Sequence, residues 1–197
     1  REIPKIVLTG GPCSGKSTIM QILQNEYTDI HFVPETATII ISQLGILPGN
    51  TPISNKRFQQ TIYRTQKLFE ATSIEFAIAT GKRAVIFDRG TVDGAAYMPG
   101  GIKEFEKTLN TNVKDEYERY NLVIWMDVPP KEIYELNKTN NPARRESFEE
   151  AKALGAKICD VWFNHPAMST APDKDWDEKV QSVRHSLHLA GVVPSPR

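Results

Sequence analysis

The sequence predicts a single α/β domain of three layers, in which a parallel five-stranded sheet carries helices on both faces. Short, continuous apolar runs alternate along the chain with longer stretches of helical periodicity. This alternation is typical of parallel strands joined by right-handed helical crossovers. The chain has 197 residues, of which 40% are hydrophobic, and these suffice for one buried core. We therefore expect one domain over residues 1–190 and a loose tail over residues 191–197.

The strands are predicted from short runs of β-branched, aliphatic and aromatic residues. The runs at residues 84–88 and 122–128 are continuous, as expected of strands that are covered on both faces. Each predicted strand is followed by a segment with helical periodicity or by a loop. The five predicted strands are residues 3–8, 31–33, 84–88, 122–128 and 167–170.

The helices are predicted from apolar residues that recur every three or four positions. The longest such segment is residues 55–80, which follows a loop rich in Gly and Pro over residues 45–52. It stops before Gly81, a residue type that commonly terminates helices. The five predicted helices are residues 15–27, 35–44, 55–80, 148–163 and 176–190.

Charge and composition exclude several classes of protein. Lys and Arg number 24 and Asp and Glu number 24, so the net charge is zero and no basic surface favours nucleic acid. The apolar runs are shorter than the roughly 20 residues that a membrane-spanning helix needs. Cys13 and Cys159 are too few for a disulfide framework, which fits a reducing compartment. We expect a cytoplasmic protein without a membrane span or a nucleic-acid partner, while the oligomeric state stays open.

A glycine-rich loop between the first predicted strand and helix carries the clearest functional signal. Residues 10–17 fit the pattern G-x-x-x-x-G-K-[ST], whose backbone N–H groups surround nucleotide phosphates in P-loop NTPases. Lys16 is expected to reach the β- and γ-phosphates as a catalytic residue, and the Ser17 hydroxyl to bind Mg²⁺. The context predicts the three-layer P-loop NTPase fold, of the type found in nucleoside and nucleotide kinases. The expected nucleotide-binding residues are Gly10, Gly11, Pro12, Cys13, Ser14, Gly15, Lys16, Ser17 and Thr18.

An Asp-Arg pair follows the third predicted strand, at the carboxyl edge where ligands of open α/β sheets bind. Asp88 is expected to hold the Mg²⁺ shell or to accept the proton of an attacking hydroxyl. The alternative role for Asp88 is an N-cap of the next segment. Arg89 is a candidate substrate-binding residue that neutralises an anion, and it could equally pair with Asp93. The sequence leaves both pairs of alternatives open.

A carboxylate follows the second predicted strand, on the same expected edge of the sheet. Glu35 is a candidate ligand for a substrate hydroxyl or a cation. The alternative is that its charge complements the dipole of the following helix. The sequence favours neither role of Glu35 over the other.

A polar, arginine-containing segment follows the fourth predicted strand. Residues 138–146 are expected to form a lid that closes over the phosphates, with Arg145 as the catalytic cation. The alternative is a solvated basic loop that pairs with acidic neighbours such as Glu146 and Glu149.

Four motifs together resemble a known family. These are IVLTGGPCSGKST at residues 6–18, VPETAT at 33–38, DRGTVDGAAY at 88–97 and WFNHP at 162–166. They resemble the P-loop domain shared by TRPL-translocation-defect proteins and the nicotinamide-ribonucleoside kinase domain of NAD-biosynthesis regulators, an AAA-type ATPase/kinase-like domain.

The resemblance implies a role for each matched segment. It implies phosphate binding by residues 10–18, an acid role for Asp88, a substrate-side role for Glu35 and a lid role for Arg145. It also implies a ribonucleoside-like compound as a candidate acceptor.

The function expected from these features is a Mg²⁺-dependent phosphotransferase. It would move the γ-phosphoryl group of ATP or GTP to a hydroxyl of a small polar metabolite, because Glu35 and Asp88 are expected beside the phosphate loop. The alternative is a nucleotide-dependent regulatory module with slow NTPase activity, whose partner binds only one nucleotide state.

Overall fold

Five parallel strands form the central sheet of the protein. The computed structural model describes residues 2–139, 146–173 and 175–194. The strands in this part of the chain are β1 Lys5–Gly10, β2 Ile30–Val33, β3 Ala84–Asp88, β4 Leu122–Met126 and β5 Met168–Ala171. Their order in the sheet is β2-β3-β1-β4-β5, and all neighbouring pairs are parallel. The carboxyl ends of all five strands therefore lie at one edge of the sheet.

Helices connect the strands. Their bounds are α1 Lys16–Glu26, α2 Thr36–Leu44, α3 Pro52–Ala79, α4 Asp93–Ala96, α5 Gly101–Leu109, α6 Val113–Tyr117, α7 Lys131–Thr139, α8 Phe148–Trp162 and α9 Trp176–Leu189. Among the described residues, no helix is long and apolar enough to cross a membrane.

Helices cover both faces of the sheet, so the predicted three-layer α/β fold is confirmed. On one face, α1 and α9 bury residues such as Leu23 and Val183 against the strands. On the other face, α3 to α6 and α8 surround a second core that contains Phe105 and Trp162. Burial of both faces explains why β4 is apolar along its whole length and β3 is apolar up to its last residue, Asp88.

The sequence prediction agrees with the structure for strands and long helices, but it missed short helices. Each predicted strand is present with its ends shifted by no more than two residues. The helices α4 to α7 were not predicted. They have four to nine residues each, and helices of this length depend on tertiary packing.

The longest helix begins three residues before the predicted start. Thr51 and Ser54 form a capping box, in which the Ser54 N–H donates to the Thr51 side chain at 3.1 Å. Pro52 occupies the first turn, where its missing N–H is tolerated. The capping box and the proline therefore explain why α3 begins at Pro52.

The expectation of a loose tail from residue 191 is wrong for the residues directly after α9. Val192 and Val193 are buried in the same core as α1 and α9. Arg83 donates a hydrogen bond to the Val192 carbonyl at 3.3 Å. The prediction was based on the lack of apolar periodicity in this segment. Burial of the two aliphatic side chains stabilises the segment against the domain without such a pattern. Residues 195–197 of that tail lie outside the described residues.

Candidate functional site

The glycine-rich loop turns sharply between β1 and α1. Gly10 has φ +152° and Gly15 has φ +88°, conformations that favour glycine. A Cβ on Gly10 would lie 2.3 Å from the Met126 carbonyl oxygen, so a larger residue does not fit. Cys13 also has a positive φ, of 61°. Lys16 is the first residue of α1, so the loop faces the positive end of that helix as predicted.

Lys16 and Asp88 lie side by side in the structure. The Lys16 Nζ is 3.5 Å from Asp88 Oδ1, and both side chains are largely buried, with 10% and 12% of their surface exposed. Among the described residues, Asp88 Oδ1 has no hydrogen-bond partner. A buried carboxylate oxygen without a hydrogen bond is costly, so this atom is available to a ligand.

The N-cap role considered for Asp88 is wrong. Asp88 is the last residue of β3, and the N-cap of the next helix is Val92. The carboxylate therefore lies at the carboxyl edge of the sheet, beside the phosphate loop.

The Arg89 guanidinium connects the phosphate loop with the second and third strand ends. Its Nε donates to Glu35 Oε1 at 2.6 Å, and one NH group donates to the Gly10 carbonyl at 3.1 Å. The same nitrogen lies 3.5 Å from Asp93 Oδ2. Arg89 thus pairs with Asp93, as one alternative held, but its shortest contact is with Glu35.

The charge of Arg89 is firmly retained. Burial alone would lower its pKa, but the nearby acidic groups of Tyr97, Asp93 and Glu35 outweigh burial and raise the pKa. Arg89 also has a positive φ of 71°, which is rare for a residue with a side chain. Such a conformation persists only where surrounding contacts hold it.

Glu35 occupies the N-cap position of α2 but does not cap the helix. Among the described residues, its side chain makes no capping hydrogen bond; it accepts instead from Thr38 Oγ1 at 2.7 Å and from Arg89. Burial would raise the pKa of Glu35, but the charges of Arg89 and Lys16, with these hydrogen bonds, hold the pKa below its ordinary value. Glu35 is therefore an ionised hydrogen-bond acceptor at neutral pH.

Asp93 is the buried anchor of this cluster, a role that the sequence analysis did not assign. Trp162 Nε1 donates to its Oδ1, and Thr9 Oγ1 donates to its Oδ2 at 2.7 Å. Burial raises the pKa of Asp93, and the charge of Arg89 and the two hydrogen bonds only partly oppose this effect. The signal in the sequence was the position of Asp93 four residues after Arg89.

A second hydrogen-bond network, also missed in the sequence, holds the loop after β3. The Gln66 amide donates to the Arg89 carbonyl at 3.2 Å and to Glu70 Oε1 at 3.1 Å. Tyr120 donates its hydroxyl to Glu70 Oε1 at 2.8 Å and accepts from the Thr91 N–H at 2.9 Å. These hydrogen bonds hold the backbone on both sides of Gly90 and so stabilise the left-handed conformation of Arg89.

A cavity of about 670 Å³ opens next to the Arg89–Glu35 pair. Its inner end contains Glu35, Arg89 and Asp93, and its walls come from α2, α3 and the segment from α4 to α5. The volume lies within the range of ligand sites for small molecules. Arg89 therefore lines the cavity and also contacts the phosphate loop.

The donor set at the phosphate loop fits Mg²⁺. The Ser17 hydroxyl and the Asp88 carboxylate are hard oxygen ligands, and Mg²⁺ in nucleotide sites is held by one or two such groups together with phosphates. The observation that supports this fit is that Asp88 Oδ1, among the described residues, is buried beside Lys16 but accepts no hydrogen bond. Within residues 2–139, 146–173 and 175–194, no group of three or more His, Cys, Asp or Glu residues forms a self-sufficient metal site.

The predicted catalytic lid cannot be placed. Arg145 and residues 140–144 lie outside the described residues. Glu146, the residue that follows them, lines the cavity.

Comparison with known proteins places the chain in a family. A family model described as "AAA domain" matches residues 5–179, which is most of the chain. No curated protein matches the chain.

Proposed function

The chain belongs to the AAA domain family, a family of P-loop NTPase type, and on that premise we propose that it is a phosphotransferase. It transfers the γ-phosphoryl group of ATP or GTP to a hydroxyl group of a small molecule. Nucleotide binding follows from the family and from the phosphate loop. The proposal is that the γ-phosphoryl group passes to the hydroxyl group of a small molecule and not to water.

The observation that carries the proposal is the cavity beyond Arg89. Hydrolysis requires only a water molecule, and a water needs about 30 Å³. The cavity is about 670 Å³ and reaches the ion pair of Arg89 and Glu35. Arg89 also donates to the Gly10 carbonyl of the phosphate loop. A second substrate in this cavity would therefore lie next to the bound triphosphate.

Binding of the triphosphate relies on the loop and on Lys16. The backbone N–H groups and the N-terminus of α1 surround the phosphates, and the Lys16 ammonium neutralises part of their charge. Mg²⁺, bound through the Ser17 hydroxyl and Asp88, would neutralise further charge on the β- and γ-phosphates. Arg89 adds a fixed positive charge between this site and the acceptor.

Transfer breaks the bond between the γ-phosphorus and the oxygen that bridges it to the β-phosphate. The acceptor hydroxyl oxygen forms the new bond to phosphorus, and the nucleoside diphosphate leaves with the electron pair of the broken bond. The hydroxyl proton passes to a carboxylate. Asp88 is the better acceptor, because the Glu35 oxygens already accept from Thr38 and Arg89. Glu35 orients the hydroxyl and excludes water from it.

A metabolite screen tests the proposal directly. The protein is incubated with Mg²⁺, ATP or GTP and a pool of metabolites, and mass spectrometry detects compounds that gain one phosphoryl group. We expect such a product, and we expect the Lys16→Ala variant to give none. Hydrolysis of the triphosphate without any phosphorylated product would favour the regulatory module with slow NTPase activity.

Lys16 contributes to triphosphate affinity. The Lys16→Ala variant loses a charge-assisted contact and should bind the triphosphate about ten- to a hundredfold more weakly. Calorimetric titration with a non-hydrolysable analogue measures this change. Lys103→Ala, at an exposed position of α5, is the control and should bind normally. Unchanged affinity in Lys16→Ala would contradict the placement of the phosphates.

Asp88 acts on the reaction more than on binding. Asp88→Asn keeps the shape of the side chain but removes its charge, and turnover should fall by about a hundredfold or more. The Mg²⁺ dependence of the residual rate separates its two roles. A higher Mg²⁺ requirement indicates a metal ligand, whereas an unchanged requirement indicates the proton acceptor. Turnover within a few-fold of the wild-type value would show that neither role is correct.

A further inference from the structure

The cavity is too long for a small polar metabolite to fill. On α3, its lining runs from Pro52 to Gln66, which is about 21 Å at 1.5 Å per residue. Gln66 marks the inner end, because its amide donates to the Arg89 carbonyl. The other end lies at the start of α3, beside the loop that contains Pro48 and Asn50. An acceptor that reaches only Glu35 would leave most of this length empty.

The polarity of the lining changes along the cavity. The inner end has the charged Glu35, Arg89 and Asp93. Further out along α3, Ile62 and Phe58 line the cavity one helical turn apart, with the polar residues Gln59, Lys56 and Asn55 beside them. The walls opposite and beside them contribute further apolar residues, namely Ile41, Pro48, Met98 and Pro99. The charged inner end is therefore followed by a mixed lining. Its apolar part is formed by Ile62, Phe58, Ile41, Pro48, Met98 and Pro99 and is called the apolar section.

The apolar section still exposes surface that a ligand could cover. Ile41 has 38% of its surface exposed and Ile62 is half-buried in the protein without ligand. Covering apolar surface that water otherwise contacts favours binding. An apolar wall next to a few convergent polar groups is the usual composition of a small-molecule site.

We propose that the acceptor is an amphiphilic alcohol, with a hydroxyl-bearing head at Glu35 and Arg89 and an apolar ring or chain along Ile62, Phe58 and Ile41. This inference rests on the proposed phosphotransferase function and specifies its substrate class. It replaces the wholly polar metabolite expected from the sequence. The head supplies the reacting hydroxyl, and the apolar body supplies most of the discrimination between acceptors.

Two glucosides that differ only in their apolar part test the proposal. Methyl β-D-glucoside and octyl β-D-glucoside present the same hydroxyl groups, and the octyl compound is used below its micelle concentration. Calorimetric titration measures the affinity of each in the presence of a non-hydrolysable triphosphate. We expect the octyl compound to bind at least about tenfold more tightly, in line with burial of several methylene groups. Equal affinities would overturn the inference.

A matched pair of variants on α2 locates the binding. Ile41 lines the cavity, whereas Leu44 is 62% exposed on the same helix and does not line it. Ile41→Asn should abolish the preference for the octyl compound, and Leu44→Asn should retain it. An equal loss in both variants would show adventitious binding to exposed apolar surface and would overturn the inference.

Transfer is measured separately, so that the two proposals can fail independently. If the screen yields phosphorylated products but the octyl preference is absent, the phosphotransferase stands and the amphiphilic acceptor is wrong. If the preference is present and depends on Ile41, but no alcohol gains a phosphoryl group, the ligand is not an acceptor and the proposed function is wrong.

Discussion

At the scale of single residues, the position of Arg89 organises the site. Its guanidinium donates to a carboxylate on α2 and to a carbonyl of the phosphate loop, while its backbone adopts a left-handed conformation. A planar group with several N–H donors can satisfy both partners at once, and a lysine ammonium cannot reproduce that geometry. Arg89 therefore fixes the distance between the phosphate loop and Glu35.

Replacement of Arg89 by lysine should impair transfer although the positive charge is kept. For Arg89→Lys we expect kcat/KM for the acceptor to fall by about tenfold or more, since the paired contacts to Glu35 and Gly10 are lost. Steady-state kinetics with the acceptor found in the screen measures this effect. The control is Arg83→Lys, because Arg83 pairs with Asp29 at the surface, away from the site. Similar kinetics in both variants would contradict the bridging role of Arg89.

At the scale of elements, the loop after β3 is held by residues from three separate parts of the chain. α3 contributes Gln66, whose side-chain amide donates to the Arg89 carbonyl. The sequence analysis assigned no role to this residue. Tyr120, after α6, accepts from the Thr91 N–H. From α8, the Trp162 ring packs against Gly90. The geometry of the site therefore depends on the packing of these helices.

The close approach of α8 to this loop can be tested with two glycines. A Cβ on Gly90 would lie 2.7 Å from the Trp162 ring and 2.9 Å from Val7, so Gly90→Ala should lower the free energy of unfolding by about 1–3 kcal/mol. At Gly94 the nearest atom would be at 3.4 Å. Gly94→Ala should therefore be neutral or stabilising by up to about 1 kcal/mol, since alanine favours a helix. Denaturant titration measures both, and equal effects would contradict the packing described for Gly90.

At the scale of the whole molecule, a neutral chain concentrates charge at one edge of its sheet. The charged residues at this edge lie at the carboxyl ends of β1, β2 and β3 or within six residues after them, and they are Lys16, Glu35, Asp88, Arg89 and Asp93. For Glu35, Arg89 and Asp93, burial and neighbouring charges make the pKa in the folded protein differ from that in the unfolded chain. Stability is therefore coupled to pH through this edge.

Glu35 should stabilise the fold at neutral pH and lose that effect in acid. Its folded pKa is below the ordinary value of 4.5, so the unfolded chain binds a proton more readily than the folded protein. The stabilisation is therefore present above about pH 4.5 and is lost as the pH falls through the lower folded pKa. Denaturant titrations over descending pH should show the stability difference between wild type and Glu35→Gln shrinking in acid. The exposed Glu75→Gln variant on α3 is the control, and a pH-independent difference for Glu35→Gln would contradict the ion pair with Arg89.

The predictions from the sequence succeeded where the information is local. The strand, the glycine-rich loop and the following helix are adjacent in the chain, so residues 5–26 reveal the phosphate loop without knowledge of any distant contact. The short helices between residues 93 and 117 were missed, because they have too few residues to show a clear period and form through tertiary packing.

The sequence by itself determined the parallel α/β fold, the phosphate loop and the placement of Glu35 and Asp88 at one edge of the sheet. Apolar runs and motifs define these features, and parallel topology brings strand ends together. Only the tertiary structure decided that Arg89 joins Glu35 to the phosphate loop, that Asp93 is their buried anchor and that a cavity extends along α3. The partners of Arg89 include residues 54 and 79 positions away in the chain. Such contacts depend on how the helices pack onto the sheet, which no local pattern encodes.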